Sequence, residues 1–251
     1  MSAARLRARI RIGALLFAAG SLGTLIQTAG GSTGDVTVSG KVEITSHGVL
    51  GQRAQKDASG VVIWLEGGDP PGGRAGARKP EQSTLLQRDK TFSPHTLAIP
   101  AGEKVLFPNY DNIFHNVFSL SPAQPFDLGL YKSGEVPEIV FKNPGALRIF
   151  CNIHSGMFAF LYVFDQPYFA ATRADGTFEI RSVPPGRYRV MHSYRARPAR
   201  LLKTLDLKPH ARETIHFQID ESEYRIQPHL NKFGRSYKEI TYKEDTGGAT
   251  F

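Results

Sequence analysis

The sequence predicts an all-β protein: a run of short strands with the size and strand count of a small Greek-key β-sandwich, with further strands on either side of it. Three observations lead there. Apolar residues recur at every second position in short runs, Gly, Pro, Asn and Asp turns separate those runs, and no long stretch after residue 30 keeps a helical period. Many short strands joined by such turns bury their apolar faces as sandwiches or barrels.

The first 30 residues are set apart. Met1 to Arg11 is basic, Ile12 to Ile26 is mostly apolar, and the small residues Thr28, Ala29 and Gly30 follow, which is the layout of a Sec-type secretory signal. The apolar run is shorter than the roughly 20 residues of a spanning helix, so export to the periplasm is expected, with membrane attachment only if the segment stays uncleaved. Arg9 and Arg11 are not adjacent, so there is no twin-arginine signal. Arg5, Arg7, Arg9 and Arg11 make up half of the formal charge of +8, leaving +4. That balance, in an exported chain, gives no reason to expect nucleic acid as a partner. A single cysteine excludes an internal disulfide, so packing and sheet hydrogen bonds must hold the fold.

Asp35 to Thr45 alternates Val36, Val38, Val42 and Ile44 with small or polar residues, and Gly60 to Leu65 follows as a second strand. Residues 68–89, opening GDPPGGRAGARKP, read as a linker. Strands are then expected at Phe92 to Ile99, Lys104 to Pro108, His115 to Phe118, Glu138 to Phe141, Ala146 to Phe150 and Phe158 to Phe164, making residues 90–166 the Greek-key sandwich. Five more follow: Phe169 to Thr172, Thr177 to Ile180, Arg187 to Tyr194, Leu201 to Leu207 and Glu213 to Ile219. Turns at Asp175-Gly176 and Pro184-Pro185-Gly186 divide them. Residues 220–251 are polar and aperiodic, and read as an extension that packs loosely or is partly disordered.

The chemistry concentrates in CNIHSGM. Cys151, His154 and Met157 stand three residues apart, a pattern a given cysteine would meet by chance on the order of once in a few thousand trials. With His115, upstream in NIFHNVFSL, they supply two imidazoles, a thiolate and a thioether, the donor set of a mononuclear blue-copper site. Each residue also has a structural alternative: Cys151 a buried free thiol, His115 a satisfied core histidine, His154 a surface-loop histidine, Met157 a core methionine. A binuclear copper centre needs a second cysteine. Zinc accepts Cys and His but is poorly served by Met. The sequence makes no third group apparent that would orient a histidine on Cys151 for nucleophilic catalysis, and no Gly-rich phosphate loop precedes a helix.

The run from Asn109 through His115, Asn116 and Val117, followed by Cys151-x-x-His154-x-x-Met157, resembles the cupredoxins, with a ligand loop most like amicyanin. The longer pattern of HTLAIPAGEKVLFPNYDNIFHNVFSL, FDLGLY, VFKNPG, IFCNIHSGM and VFDQPYFA is similar to bacterial methylamine-utilisation and plastocyanin-like proteins, over about Lys90 to Gln166. In the flanks, VSGKVEI, SGVVIWLEG and TRADGTFEIRSVPPGRYRV resemble a carboxypeptidase-regulatory-like (transthyretin-like) sandwich. One discontinuous sandwich, residues 35–67 with 168–219, is therefore expected; two consecutive domains are the alternative.

The resemblance implies one copper ion per chain and single-electron transfer between protein redox partners, without enzymatic turnover. It also implies that Asn116 ties the two ligand loops together through backbone bonds. Asn152 and Ser155 are expected to donate to the thiolate or cap its loop. Ile113, Phe114 and Phe158 flank those loops as a candidate docking patch, and Arg195, Arg197 and Arg200 belong to a basic run that is either a solvated sheet edge or a face for an acidic partner. His95 is placed away from the ligands, and His192, His210, His216 and His229 read as strand or surface residues. Two other functions stay open: copper binding or delivery without redox turnover, and a structural interaction module with a vestigial copper site.

Overall fold

The computed structural model describes residues 35–48, 51–68, 82–224 and 229–237; the expected leader, residues 69–81 of the expected linker and residues 238–251 lie outside them. In chain order the strands are β1 (Val36–Gly48), β2 (Gly51–Ala54), β3 (Val61–Gly67), β4 (Gln82–Thr84), β5 (Leu86–Arg88), β6 (Thr91–Ser93), β7 (Thr96–Pro100), β8 (Glu103–Leu106) and β9 (His115–Ser119). They continue with β10 (Phe126–Tyr131), β11 (Glu138–Phe141), β12 (Gly145–Cys151), β13 (Phe158–Phe164), β14 (Phe169–Ala171), β15 (Thr177–Val183), β16 (Gly186–Tyr194), β17 (Arg200–Leu207) and β18 (Arg212–Asp220). One 3-10 turn, Glu221–Tyr224, follows β18. The protein is all-β.

Two bodies of sheet form around separate cores. In the first, a sheet ordered β15-β1-β18, with β2 paired to β1, faces a sheet ordered β14-β3-β16-β17. Its first strand lies parallel to its last, Thr37 opposite Arg212 through Thr45 opposite Asp220, so residues before and after β4–β13 share one core. The alternation seen in the sequence decides which side chains enter it: Val36, Val38, Val42 and Ile44 from β1 meet Val61, Ile63 and Leu65 from β3. Gly40 breaks the series because there is no room. A Cβ there would lie 2.0 Å from the Ile215 carbonyl oxygen.

The second body pairs a sheet ordered β10-β9-β12-β13-β7 with a sheet ordered β11-β8-β4, beside the β5–β6 hairpin. β13 is apolar throughout, as a strand buried on both faces must be. Ala159, Leu161 and Val163 point into the second body's core, while Phe160 and Tyr162 point the other way, into a third cluster with Val62 and Trp64 of β3 and Phe169 of β14. The two bodies share this aromatic seam, in which Phe164 stacks on Phe169 at 4.6 Å and the Tyr162 hydroxyl lies 3.0 Å from the Ser193 hydroxyl.

Two expectations need correction. The end of the supposed linker is strand and core: β4 runs parallel to β8, Leu85 and Gln87 are fully buried, and the Gln87 amide donates to the carbonyl of Phe107 at 3.1 Å. Three-residue strands are too short to show a period, and a polar residue, Gln87, takes an inward position. β10 was likewise not among the expected strands, because Gly129 interrupts its alternation.

Candidate metal centre

β9 begins at His115 and β12 ends at Cys151, and the two strands are hydrogen-bonded neighbours, with Cys151 opposite Val117. After Cys151 the chain turns back into β13 within six residues. The turn is closed by the Cys151 N–H donating to the Met157 carbonyl and the Met157 N–H donating to the His154 carbonyl, both at 3.0 Å. The spacing in CNIHSGM is therefore the spacing of one tight loop that returns His154 over Cys151.

The structure brings His115, Cys151 and His154 together, with their ligand atoms all within 4.8 Å of one another. The Cys151 sulfur lies 3.7 Å from His115 Nδ1 and 3.6 Å from His154 Nδ1. Metal–sulfur and metal–nitrogen bonds of roughly 2.3 and 2.0 Å at a trigonal angle of roughly 120° separate S from N by about 3.7 Å. Both sulfur–nitrogen separations thus match those of a three-coordinate His2Cys centre. Met157 is buried in the same apolar cluster as Cys151.

The surroundings of Cys151 and His154 favour the forms that bind metal. Burial pushes the Cys151 thiol up, but bonds from His115 and from the backbone N–H groups of Asn116, Ile153 and His154 outweigh it and hold the thiol below its ordinary range. His154 is held low by burial and then by the nearby His115 and Lys90 charges, which keeps its ring neutral. Burial also lowers His115, yet Cys151 and Asp111 together raise it above the usual imidazole value. A metal held there would need His115 Nδ1 free of its proton, and the other ring nitrogen is already oriented.

That orientation comes from Asp111, whose carboxylate accepts from His115 Nε2 at 2.8 Å and from the N–H groups of Asp89 at 2.6 Å and Lys90 at 2.9 Å. A carboxylate on the far nitrogen of a ligating histidine fixes its tautomer and ring plane. No group that orients a histidine on Cys151 was expected from the sequence; Asp111 is that group, and its position four residues before His115 was the available signal. Asn116 is buried, and its carbonyl accepts from the Asn152 N–H at 3.2 Å, joining the two ligand loops through backbone. Its side-chain amide turns instead to Asp127 and to the Gly129 carbonyl, at 2.6 and 2.8 Å.

Backbone N–H groups bond the sulfur; Asn152 Oδ1 accepts from the Lys232 N–H at 2.9 Å, and Ser155 is exposed, its carbonyl accepting from His229 Nε2 at 3.0 Å. The C-terminal residues 229–237 therefore pack on the ligand loop, contrary to the loose extension expected. Polar and aromatic contacts made one residue at a time leave no period to read.

Ile113 and Phe114 are exposed on the loop entering β9. Phe158 is half-buried, in edge contact with His95 and Phe160 in the aromatic seam, and His95 stays apart from the ligand cluster. Arg195 pairs with Glu221 and lies 4.9 Å over the Tyr194 ring; Arg197 is half-buried and Arg200 exposed, at the β16–β17 connection. His192 is buried, His216 exposed on β18, and His210 sits in a turn with φ of 61°.

No protein-family model matches the chain, and no curated protein matches it. Among solved structures it is similar to a purple cupredoxin from Nitrosopumilus maritimus, at 24% identity and a TM-score of 0.30, over 33% of this chain and 98% of that one. It is also similar to a copper-containing nitrite reductase from Thermus scotoductus, at 27% identity and a TM-score of 0.33, over 38% of this chain and a quarter (25%) of that one. A reduced amicyanin variant shares 15% identity at a TM-score of 0.31, over 41% of this chain and 98% of its own.

Proposed function

We propose that the second body is a cupredoxin that holds one copper ion through His115, Cys151 and His154, with Met157 as a weak fourth ligand, and that the protein carries single electrons between protein partners in the periplasm. The observation that carries this reading is the buried Cys151 sulfur facing two imidazole Nδ1 atoms at 3.6 and 3.7 Å. Copper held there would supply the one-electron chemistry, in a donor set that suits both its one- and two-positive states. The chain's own contribution is rigidity. β9 and β12 fix His115 and Cys151 in register, Asp111 sets the His115 ring, and the bond from Asn152 to Asn116 holds the loops at one separation.

In this reading the protein is a carrier rather than an enzyme. Partners meet it at the exposed Ile113 and Phe114, beside the ligand loop. The first body, residues 35–67 with 168–219, is read as a carboxypeptidase-regulatory-like sandwich that presents the copper domain. Voltammetry of the copper-loaded protein tests the function. A reversible one-electron wave, with copper retained against a chelator, is expected; irreversible reduction with rapid loss of copper would instead identify a delivery protein.

A further inference from the structure

We propose that the C-terminal segment 229–237 is a brace that holds the Cys151–Met157 loop from outside the sheet, with Tyr237 and His229 as positioning residues for the metal ligands. This rests on the copper reading for its purpose, but the brace itself is a matter of contacts. The Tyr237 hydroxyl donates to the carbonyl of Cys151 at 2.7 Å. His229 Nε2 donates to the carbonyl of Ser155 at 3.0 Å, and the His229 ring stacks on Phe150, one residue before the thiol, at 3.8 Å between centroids. The Lys232 N–H donates to the Asn152 side chain at 2.9 Å, and the Lys232 ammonium pairs with Asp127 at 2.6 Å.

Cys151, Asn152 and Ser155 are thus all tied to one short segment more distant in sequence than any other part of the site. These three hold the outward polar groups of the loop that supplies the thiolate and His154. His229 and Tyr237 also contact each other, ring to ring at 5.2 Å, so the two anchors form one unit. An intact strand ladder secures Cys151 on its sheet side, and the stretch from Asn152 to Gly156, which bonds β9 through the Asn152 N–H and the Asn116 carbonyl, is held on its outer side by this segment. Constraining that stretch restrains the separation of the Cys151 sulfur from the His154 ring, on which ligand geometry depends. Asp127 also accepts from Asn116, which links the brace to the loop carrying His115.

The test uses the full-length protein with Tyr237→Phe, which removes one hydroxyl, and Tyr237→Phe/His229→Phe, which keeps both rings and removes both donors. In the metal-free protein, hydrogen exchange at the Cys151 and Met157 amides is expected to accelerate about three- to tenfold per lost bond, with the Val42 amide of the first body unchanged. In the copper-loaded protein, release to a chelator is expected to accelerate by a similar factor, and the reduction potential to shift. Unchanged exchange at both loop amides in the double variant would overturn the brace. So would equal acceleration at Val42, which marks general destabilisation. If wild-type protein forms no thiolate–copper band while the exchange response appears, the copper reading falls and the brace stands.

Discussion

Replacing Asp111 with Ala separates a positioned histidine from one that merely sits in the core. The carboxylate accepts three bonds, from the Asp89 and Lys90 amides and from His115 Nε2. The two amides lie at the exposed turn of the β5–β6 hairpin and recover bonds to water when the carboxylate is gone. His115 cannot, because its side chain is 0% exposed. The loss is therefore dominated by one buried bond to a charged group, about 1.5–3 kcal/mol. For a unit of this size that lowers the melting temperature of the metal-free protein by roughly 3–12 °C. Copper affinity falls about 10- to 100-fold, as for other groups that orient a ligating histidine. Asp111→Asn keeps one carbonyl acceptor and loses less. Thermal melts and chelator competition on the same samples read both quantities. Affinity within about twofold of wild type, with an unchanged melt, would show that Asp111 does not set the His115 ring.

Other outcomes follow from the packing. Leu85→Ala, at a fully buried position in a stretch with no strand pattern, should destabilise the protein by about 2–5 kcal/mol in chemical unfolding; a loss under about 0.5 kcal/mol would return residues 82–88 to the linker. Gly40→Ala forces a Cβ to within 2.0 Å of the Ile215 carbonyl, and should cost at least about 1–3 kcal/mol while leaving the copper spectrum of the folded fraction unaltered. Burial raises the Asp127 carboxyl, but Lys232, Asn116 and the Gly129 N–H outweigh it and hold the group below 3.8. A depressed folded value stabilises above the unfolded one and is lost as pH falls through the folded value. The stability difference between wild type and Asp127→Asn should accordingly be constant at neutral pH and shrink below about pH 4. A difference that shrinks only above neutrality would contradict this sign.

What could be read from the chain alone follows the scale of each signal. Periodic strands such as β1 and β16 announced themselves because one face is buried over many residues. β13 and β3 stood out as unbroken apolar runs, and the reason is the aromatic seam between the bodies. The metal ligands were legible because Cys151, His154 and Met157 lie on one loop, so that spacing and geometry are the same fact. His115 needed its flanking HNV context, since nothing in a single sequence measures the distance to Cys151. Asp111 was in plain view but carried no weight until its carboxylate was seen on His115 Nε2. Tyr237, His229 and Lys232 were illegible for a physical reason: each acts through one polar or aromatic contact on a loop some 80 residues away, and no periodicity records such contacts.

Binding of copper by the Cys151 sulfur between the two histidines is the central claim. Adding one equivalent of Cu(II) to the metal-free protein and recording its visible and electron paramagnetic resonance spectra tests this directly. An intense thiolate-to-copper charge-transfer band with narrow parallel hyperfine splitting is expected, absent in Cys151→Ser. A spectrum of ordinary weakly coloured copper, or the same band in Cys151→Ser, would contradict the central claim.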